Sequence, residues 1–229
     1  MAECGRLGPG GGWARILVVF VTGSVLAGCV SVETIKKREK ESEGYYQQGL
    51  SVLNTDQQRA FVAFQKAIQL NPDNYDAHYA LGSVYFHREE YGNAEREFRT
   101  SVKLDPNNGD ALNFLGRTLI MQSRLPEAIE TLQKATSLPL YATPDQAYAN
   151  LAFALDKQGD TQGAVRALQS ALKIEPSKVP RAIIYFELGR FHMKLGEDSK
   201  AREAFAQAKA LDPQGTVGAE AAKLMKQLR

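Results

Sequence analysis

Two prolines 34 residues apart, Pro72 and Pro106, constrain this chain more than any other feature. Between them His78, Leu81, Gly82, Tyr85, Ala94, Phe98 and Ser101 alternate small and large residues at helical spacing, and the same order returns along the chain. A unit of this length, closed by a proline, is a pair of antiparallel helices. One pair cannot bury its own apolar face, so neighbouring pairs must stack on it. The small residues let two helix backbones approach, and leucine, tyrosine and phenylalanine fill the space between them. Proline ends the second helix because it has no N–H and restricts the residue before it.

Five such units account for residues 44–214. The first reads Tyr45, Gln48, Gly49, Ala60, Phe64, Ala67 and Pro72, with a shorter turn at Asn54-Thr55-Asp56. The third reads Leu112, Leu115, Gly116, Leu119, Ala128, Leu132 and Ala135, closing on Pro139. An insertion around Tyr141-Ala142-Thr143-Pro144 precedes the fourth, with Tyr148, Leu151, Ala152, Leu155, Ala164, Leu168, Ala171 and Pro176. The fifth carries Tyr185, Leu188, Gly189, His192, Ala201, Phe205, Ala208 and Pro213. Ala221, Leu224, Met225 and Leu228 then continue at helical spacing and predict a helix that caps the fifth unit. Asp73 and Asn74 after one proline, and Asn107 and Asn108 after the next, are placed to cap the helices that follow.

The pattern resembles the tetratricopeptide repeat, W-x-x-L-G-x-x-Y, then A-x-x-x-F, then P. The implied fold is all-α, a right-handed superhelix of about five tetratricopeptide helix pairs plus a C-terminal capping helix. The expected division is a signal peptide over 1–28, a lipidated cysteine and charged tether over 29–43, the repeat domain over 44–215 and the cap over 216–229.

Twenty-eight basic and 26 acidic residues among 229 leave a net charge of +2, too little for a global field that would recruit nucleic acid. The only cysteines are Cys4 and Cys29, which excludes a disulfide framework or a cysteine zinc site. Arg15 precedes the apolar run Ile16-Leu17-Val18-Val19-Phe20-Val21, too short to span a bilayer but right for a signal peptide. It leads to Leu26-Ala27-Gly28-Cys29, which resembles a bacterial lipobox with small residues before a thiol that takes diacylglycerol. Lipidation at Cys29 implies a membrane anchor through N-terminal acyl chains. Valine rather than aspartate at position 30 implies the outer membrane, facing the periplasm. The stretch 30–43, with Lys36, Lys37, Arg38, Lys40 and four glutamates, reads as a solvated tether of about 45 Å at full extension or as a frayed extension of the first helix.

Catalytic motifs are missing: there is no G-x-x-x-x-G-K, G-x-S-x-G or H-E-x-x-H, and His78, His87 and His192 fall at unrelated repeat positions. They read as packing histidines, and Glu95, Arg96 and Glu97 as a solvated helix face. No enzyme activity, cofactor, metal or small-molecule substrate is expected.

A binding surface is. Stacked pairs curve, and the first helix of each lines the concave side. The family resemblance implies ligand contacts from positions two, five, nine and twelve of each repeat. Position five is Tyr46, Tyr79, Asn113, Ala149 and Phe186; position nine is Leu50, Ser83, Arg117, Phe153 and Arg190; position twelve is Leu53, Phe86, Ile120, Asp156 and Met193. The expected groove is Tyr46, Leu50, Leu53, Tyr79, Ser83, Phe86, Asn113, Arg117, Ile120, Phe153, Phe186 and Arg190. It would bury side chains of a protein or peptide segment, with Arg117 and Arg190 setting register through carboxylates.

Two stretches go beyond a generic repeat. The run 104–113, Leu-Asp-Pro-Asn-Asn-Gly-Asp-Ala-Leu-Asn, resembles the start of the third repeat in the type IV pilus biogenesis lipoproteins PilF and PilW. Leu138-Pro139-Leu140-Tyr141 with Pro144 is similar to that family's lengthened connection between repeats three and four. The resemblance implies a pilotin, an outer-membrane lipoprotein that binds a secretin subunit and helps it multimerise. The alternative is a general periplasmic scaffold for cell-wall enzymes or outer-membrane assembly complexes.

Overall fold

The computed structural model describes residues 31–228. The lipobox, the signal peptide over 1–28 and the lipidation site Cys29 lie outside them. Eleven helices and no strands occur among the described residues: α1 (Val32–Val52), α2 (Gln57–Leu70), α3 (Tyr75–His87), α4 (Tyr91–Leu104), α5 (Gly109–Met121), α6 (Leu125–Ser137), α7 (Pro144–Gln158), α8 (Thr161–Ala171), α9 (Arg181–Lys194), α10 (Asp198–Leu211) and α11 (Thr216–Met225). They form five antiparallel pairs, α1 with α2 through α9 with α10, each packed on the next.

The interior of four of the five pairs follows one rule, the fourth having Ala152 in place of the glycine. The glycine at position eight of the first helix faces the large residue at position 24 of the second. Gly49 lies against the Phe64 ring, Gly82 against Phe98, Gly116 against Leu132 and Gly189 against Phe205. A Cβ at Gly82 would sit 2.8 Å from the Phe98 ring, closer than real contacts allow. Phe64, Phe98, Leu132 and Phe205 are completely buried, each beside the alanine at position 20 of its own helix: Ala60, Ala94, Ala128 and Ala201.

The turns repeat as well. Position fifteen, between the two helices of a pair, has a left-handed backbone in four repeats: Glu89 (φ 61°), Ser123 (φ 62°), Gly159 (φ 100°) and Gly196 (φ 74°). Glycine adopts this conformation freely, whereas glutamate and serine carry a Cβ penalty there.

Joints between pairs are seated at position one. Ser42, fully buried, donates to the Ala67 carbonyl at 2.8 Å and accepts from Asn74 Nδ2 at 2.9 Å. Asn74 in turn caps α3 by accepting from Ala77 N, and Asn108 caps α5 by accepting from Ala111 N, as their placement after the prolines predicts. Asp145, also fully buried, accepts from Ser177 Oγ, Lys178 N and Val179 N at 3.0, 2.6 and 2.8 Å, tying down the long connection from α8 to α9. The Tyr141 ring occupies the space above Gly109 that a side chain would need. At the C-terminus, Val217, Leu224, Met225 and Leu228 cover Phe205 and Ala208, so α11 is the expected cap.

Of the two readings of the charged segment the structure takes the second: it is helical from Val32 and continues into the first repeat, with Ser31 as its N-cap. As helix, residues 32–43 rise about 18 Å, well short of an extended tether. One further expectation needs correction: Glu95 and Glu97 are not simply solvated. Glu95 accepts from Arg99 and Arg124 at 2.8 Å, and Glu97 meets His78. Arg96 alone fits the exposed reading.

Replacing Gly82 with valine is expected to lower the unfolding free energy by about 1–3 kcal/mol, because the Phe98 ring has nowhere to retreat. Ser123→Gly is expected to raise it by about 0.5–1 kcal/mol, relief of the left-handed strain outweighing the added chain entropy. Urea denaturation of both variants checks the two opposite signs.

Candidate functional site

The first helices of successive pairs, α1, α3, α5, α7 and α9, present positions five, nine and twelve along one side of the stack. The structure brings the middle of the expected groove together most tightly. The Tyr79 ring lies 6.0 Å from Phe98 and 5.6 Å from Phe114, and Phe86 lies 5.8 Å from Phe114. The Arg117 guanidinium is held 4.8 Å from the centroids of both Phe86 and Phe114. Its charge is favoured by the two ring faces, while burial pulls its pKa down. Among the described residues no carboxylate pairs with it, so its N–H edges remain for a partner's carboxylate. Burial pushes the pKa of the Tyr79 phenol up to about 12, and Ser83 beside it acts in the opposite sense.

Phe114 is a residue of the candidate groove that the repeat positions missed. It sits at position six, outside the expected contact set, and reaches the groove because the neighbouring first helix is close. Its aromatic character beside Asn113 was the available signal.

The other expected residues divide. Leu50 is 39% exposed and Phe153 49%, the latter with the Lys157 ammonium 5.4 Å from its ring. Tyr46 is half-buried beside Phe64, and Leu53 packs in the same cluster. Ile120 is half-buried between two core clusters, and Phe186 leans on Phe205 at 5.8 Å. Asn113 is a correction: it is 1% exposed and accepts from Asn150 Nδ2 at 2.7 Å, joining α5 to α7 instead of facing a ligand. Arg190 is another, since Glu187 holds it through both oxygens at 3.0 Å. Asp156 is likewise engaged, by Lys194 and Thr161 at 2.7 Å each.

Between α7 and α9 the groove opens into a notch of about 240 Å³ lined by Ala149, Asn150, Phe153, Ile183, Glu187 and Phe191. It can take one aliphatic or aromatic side chain of a bound segment.

Nothing in this arrangement brings reactive groups together. His78 is buried, with Nδ1 2.7 Å from a Glu97 oxygen and Nε2 3.0 Å from the Pro72 carbonyl. Both neighbours are acceptors, an arrangement that the doubly protonated ring satisfies. Burial opposes that charge, but the hydrogen bonds to Glu97 and Pro72 prevail and raise the pKa above its ordinary value. His192 meets Glu197 at 2.5 Å, and His87 stacks edge-on with Phe86. No group of three or more His, Cys, Asp or Glu side chains among the described residues is placed to hold a metal. No described helix is long and apolar enough to cross a membrane.

Three family models of the tetratricopeptide repeat match the chain, over residues 56–88, 75–108 and 155–228. The type IV pilus assembly protein PilF of Pseudomonas aeruginosa is 34% identical over 146 residues, covering 60% of this chain and 57% of that protein. The general transcriptional corepressor ssn6 of Schizosaccharomyces pombe is 26% identical over 56% of this chain but only 12% of its own length. The chain thus spans little more than half of the one relative and a small part of the other. Among solved structures, the pilus biogenesis factor PilW superposes with a TM-score of 0.71 at 22% identity, covering 81% of this chain and 86% of that one. Pseudomonas aeruginosa PilF gives 0.67 at 22% identity over 83% and 93%. YrrB, a repeat protein described as having an unusual peptide-binding site, gives 0.64 at 21% identity over 83% and 96%. These structures share the superhelix of helix pairs.

The raised pKa of His78 makes stability depend on pH. The contribution is whole below about pH 6.5, the unfolded value, and is lost as the pH climbs through the raised folded value. The advantage of the wild type over His78→Gln in urea denaturation is therefore expected to shrink as the pH rises. A gap that stays constant from acid to mildly alkaline pH would refute the imidazolium.

Proposed function

We propose that this chain, a tetratricopeptide-repeat protein resembling those of type IV pilus biogenesis, is a non-enzymatic scaffold that captures a secretin subunit at the outer membrane. In this reading Cys29 carries the acyl chains and the mature protein faces the periplasm. The short helical post formed by the start of α1 keeps the repeats within a few nanometres of the lipid.

The observation that carries the reading is the groove itself. Aromatic rings, a stacked guanidinium and an open notch occur on the first helices α3, α5, α7 and α9, with Leu50 and Phe153 exposed and no reactive constellation among the described residues beside them. Such a surface holds an extended or helical segment by burying its side chains and orienting one charge. The PilF and PilW resemblance supplies the partner class, and the lipobox supplies the membrane.

Leu50→Glu and Phe153→Glu test the groove without touching the core, whereas Phe86 and Tyr79 are packed too deeply for a clean substitution. Lipidated wild type, each variant and Cys29→Ala are used to pull partners from detergent-solubilised envelopes. Recovery of a secretin by wild type, its loss from both glutamate variants with helical circular dichroism intact, and mislocalised multimers with Cys29→Ala are expected. Recovery of cell-wall enzymes or assembly factors without a secretin would make the protein a general periplasmic scaffold instead.

A further inference from the structure

The groove has a lip whose charge neither the repeat pattern nor the relatives' names account for. At position two stand Glu43, midway along α1, and Asp76 and Asp110, in the first turns of α3 and α5. Tyrosines interleave with them. Burial is the main cause of the raised pKa of Tyr46, Tyr79 and Tyr141, with Asp76 adding to the first and Asp110 to the other two, while Asp76 is the main cause for Tyr75, so these groups lie within electrostatic reach of one another. Tyr141 arrives from the inserted connection between α6 and α7, whose preceding residue, Leu140, is 94% exposed. Tyr141 lies against Gly109 and Thr143 reaches Asp110, so the insertion lies beside the start of α5.

Charge is left unbalanced along this lip. Among the described residues no lysine or arginine forms an ion pair with Glu43, Asp76 or Asp110. Glu43 accepts from Gln47 at 2.8 Å and Asp110 from Thr143 at 3.4 Å, both neutral donors. Burial raises the Asp76 pKa first, and the charges that act on it, Glu43 and Asp105, raise it further because they too are negative. Farther along, Arg190 and Lys194 are neutralised by Glu187 and Asp156. Arg117 on α5, unpaired among the described residues, offsets only part of the three acids, so the unmatched charge at the groove's N-terminal half is negative, although the whole chain is slightly basic.

We propose that the segment held in this groove is cationic, an extended stretch of a partner protein whose lysine or arginine side chains lie along Tyr46, Asp76, Tyr79, Asp110 and Tyr141. The inference rests on the groove being the partner site and adds the chemistry of what fills it. Carboxylates pair with the cations, and tyrosine rings between them hold the charge and the methylene stem. Adjacent first helices stand roughly 10 Å apart, which is about three residues of an extended chain. Basic residues at every third position of the segment would meet successive acids, and Arg117, about 10 Å along α5 from Asp110, would take an acidic residue on the segment's other edge.

Two fluorescent peptides of about twelve residues test this. One has lysine at every third position with leucine and threonine between, and the other has glutamate in the lysine positions. In fluorescence anisotropy at about 50 mM salt the lysine probe is expected to bind and the glutamate probe not, with the preference fading near 0.5 M salt. Asp76→Asn with Asp110→Asn is expected to weaken the lysine probe by about tenfold or more, with helical circular dichroism unchanged. Equal binding of the two probes, no binding of the lysine probe, or an unchanged affinity in the double variant would overturn the inference. The same double variant enters the envelope pull-down. A partner lost with Leu50→Glu and Phe153→Glu but kept by the asparagine pair would leave the groove standing and remove the cationic lip, whereas a partner kept by all of them would remove the groove.

Discussion

The whole molecule depends on the close approach of two helix backbones at position eight. Gly49, Gly82, Gly116 and Gly189 each leave a hollow that the position-24 side chain fills completely. Once that distance is set, the relative rotation of the pair is set with it, and so is the side of the first helix that faces outward. The groove is therefore a consequence of packing on the opposite face. A shift of the Phe98 ring would also tilt Tyr79 and Phe114, which rest against it at 6.0 and 5.6 Å.

The joints between repeats explain how the chain tolerates insertions. Position one works as a socket: Ser42 receives Asn74, Gly109 receives Tyr141, and Asp145 receives the backbone of residues 178 and 179. The socket changes with the length of the connection it must hold. A short turn needs one hydroxyl bond, whereas the longer connections need a ring laid on a glycine or a carboxylate with three donors. An insertion anchored in this way stays ordered against the stack, and its tip becomes new surface, as Leu140 shows.

What the sequence made legible was whatever repeats. The five pairs, the asparagine caps, the C-terminal cap helix and the row of positions five, nine and twelve all follow from one period, because each depends on neighbours within a unit or on the identical contact to the next. Features that depend on a particular neighbour stayed hidden. Asn113 occupies a groove position but meets Asn150 across the stack, and Arg190 occupies one but has Glu187 a turn away on its own helix. The 30–43 stretch reads as a solvated tether or a frayed helix by composition, yet Ser42 in its last turn is buried and donates to the Ala67 carbonyl, which seats that end of the segment on α2. Phe114 belongs to the groove only because α3 and α5 bring Tyr79 and Phe86 to it.

Charge shows the same division between total and place. A net charge of +2 excludes a strong global field, and on that basis alone the protein has no preference among charged partners. The fold breaks that neutrality into regions. On α4 and α6, Arg99 and Arg124 answer Glu95 and Glu127 at 2.6 to 3.2 Å, and on α7 and α9 the ions pair with one another, so both regions are locally balanced. At the mouth of the first three repeats the acids face tyrosines and each other instead. Like charges held together without a counterion oppose folding, and the groove's rim is where a stack built on other contacts can tolerate them. A partner's cation removes that repulsion on binding, which makes the unmatched rim a source of selectivity that no count of charges along the sequence contains.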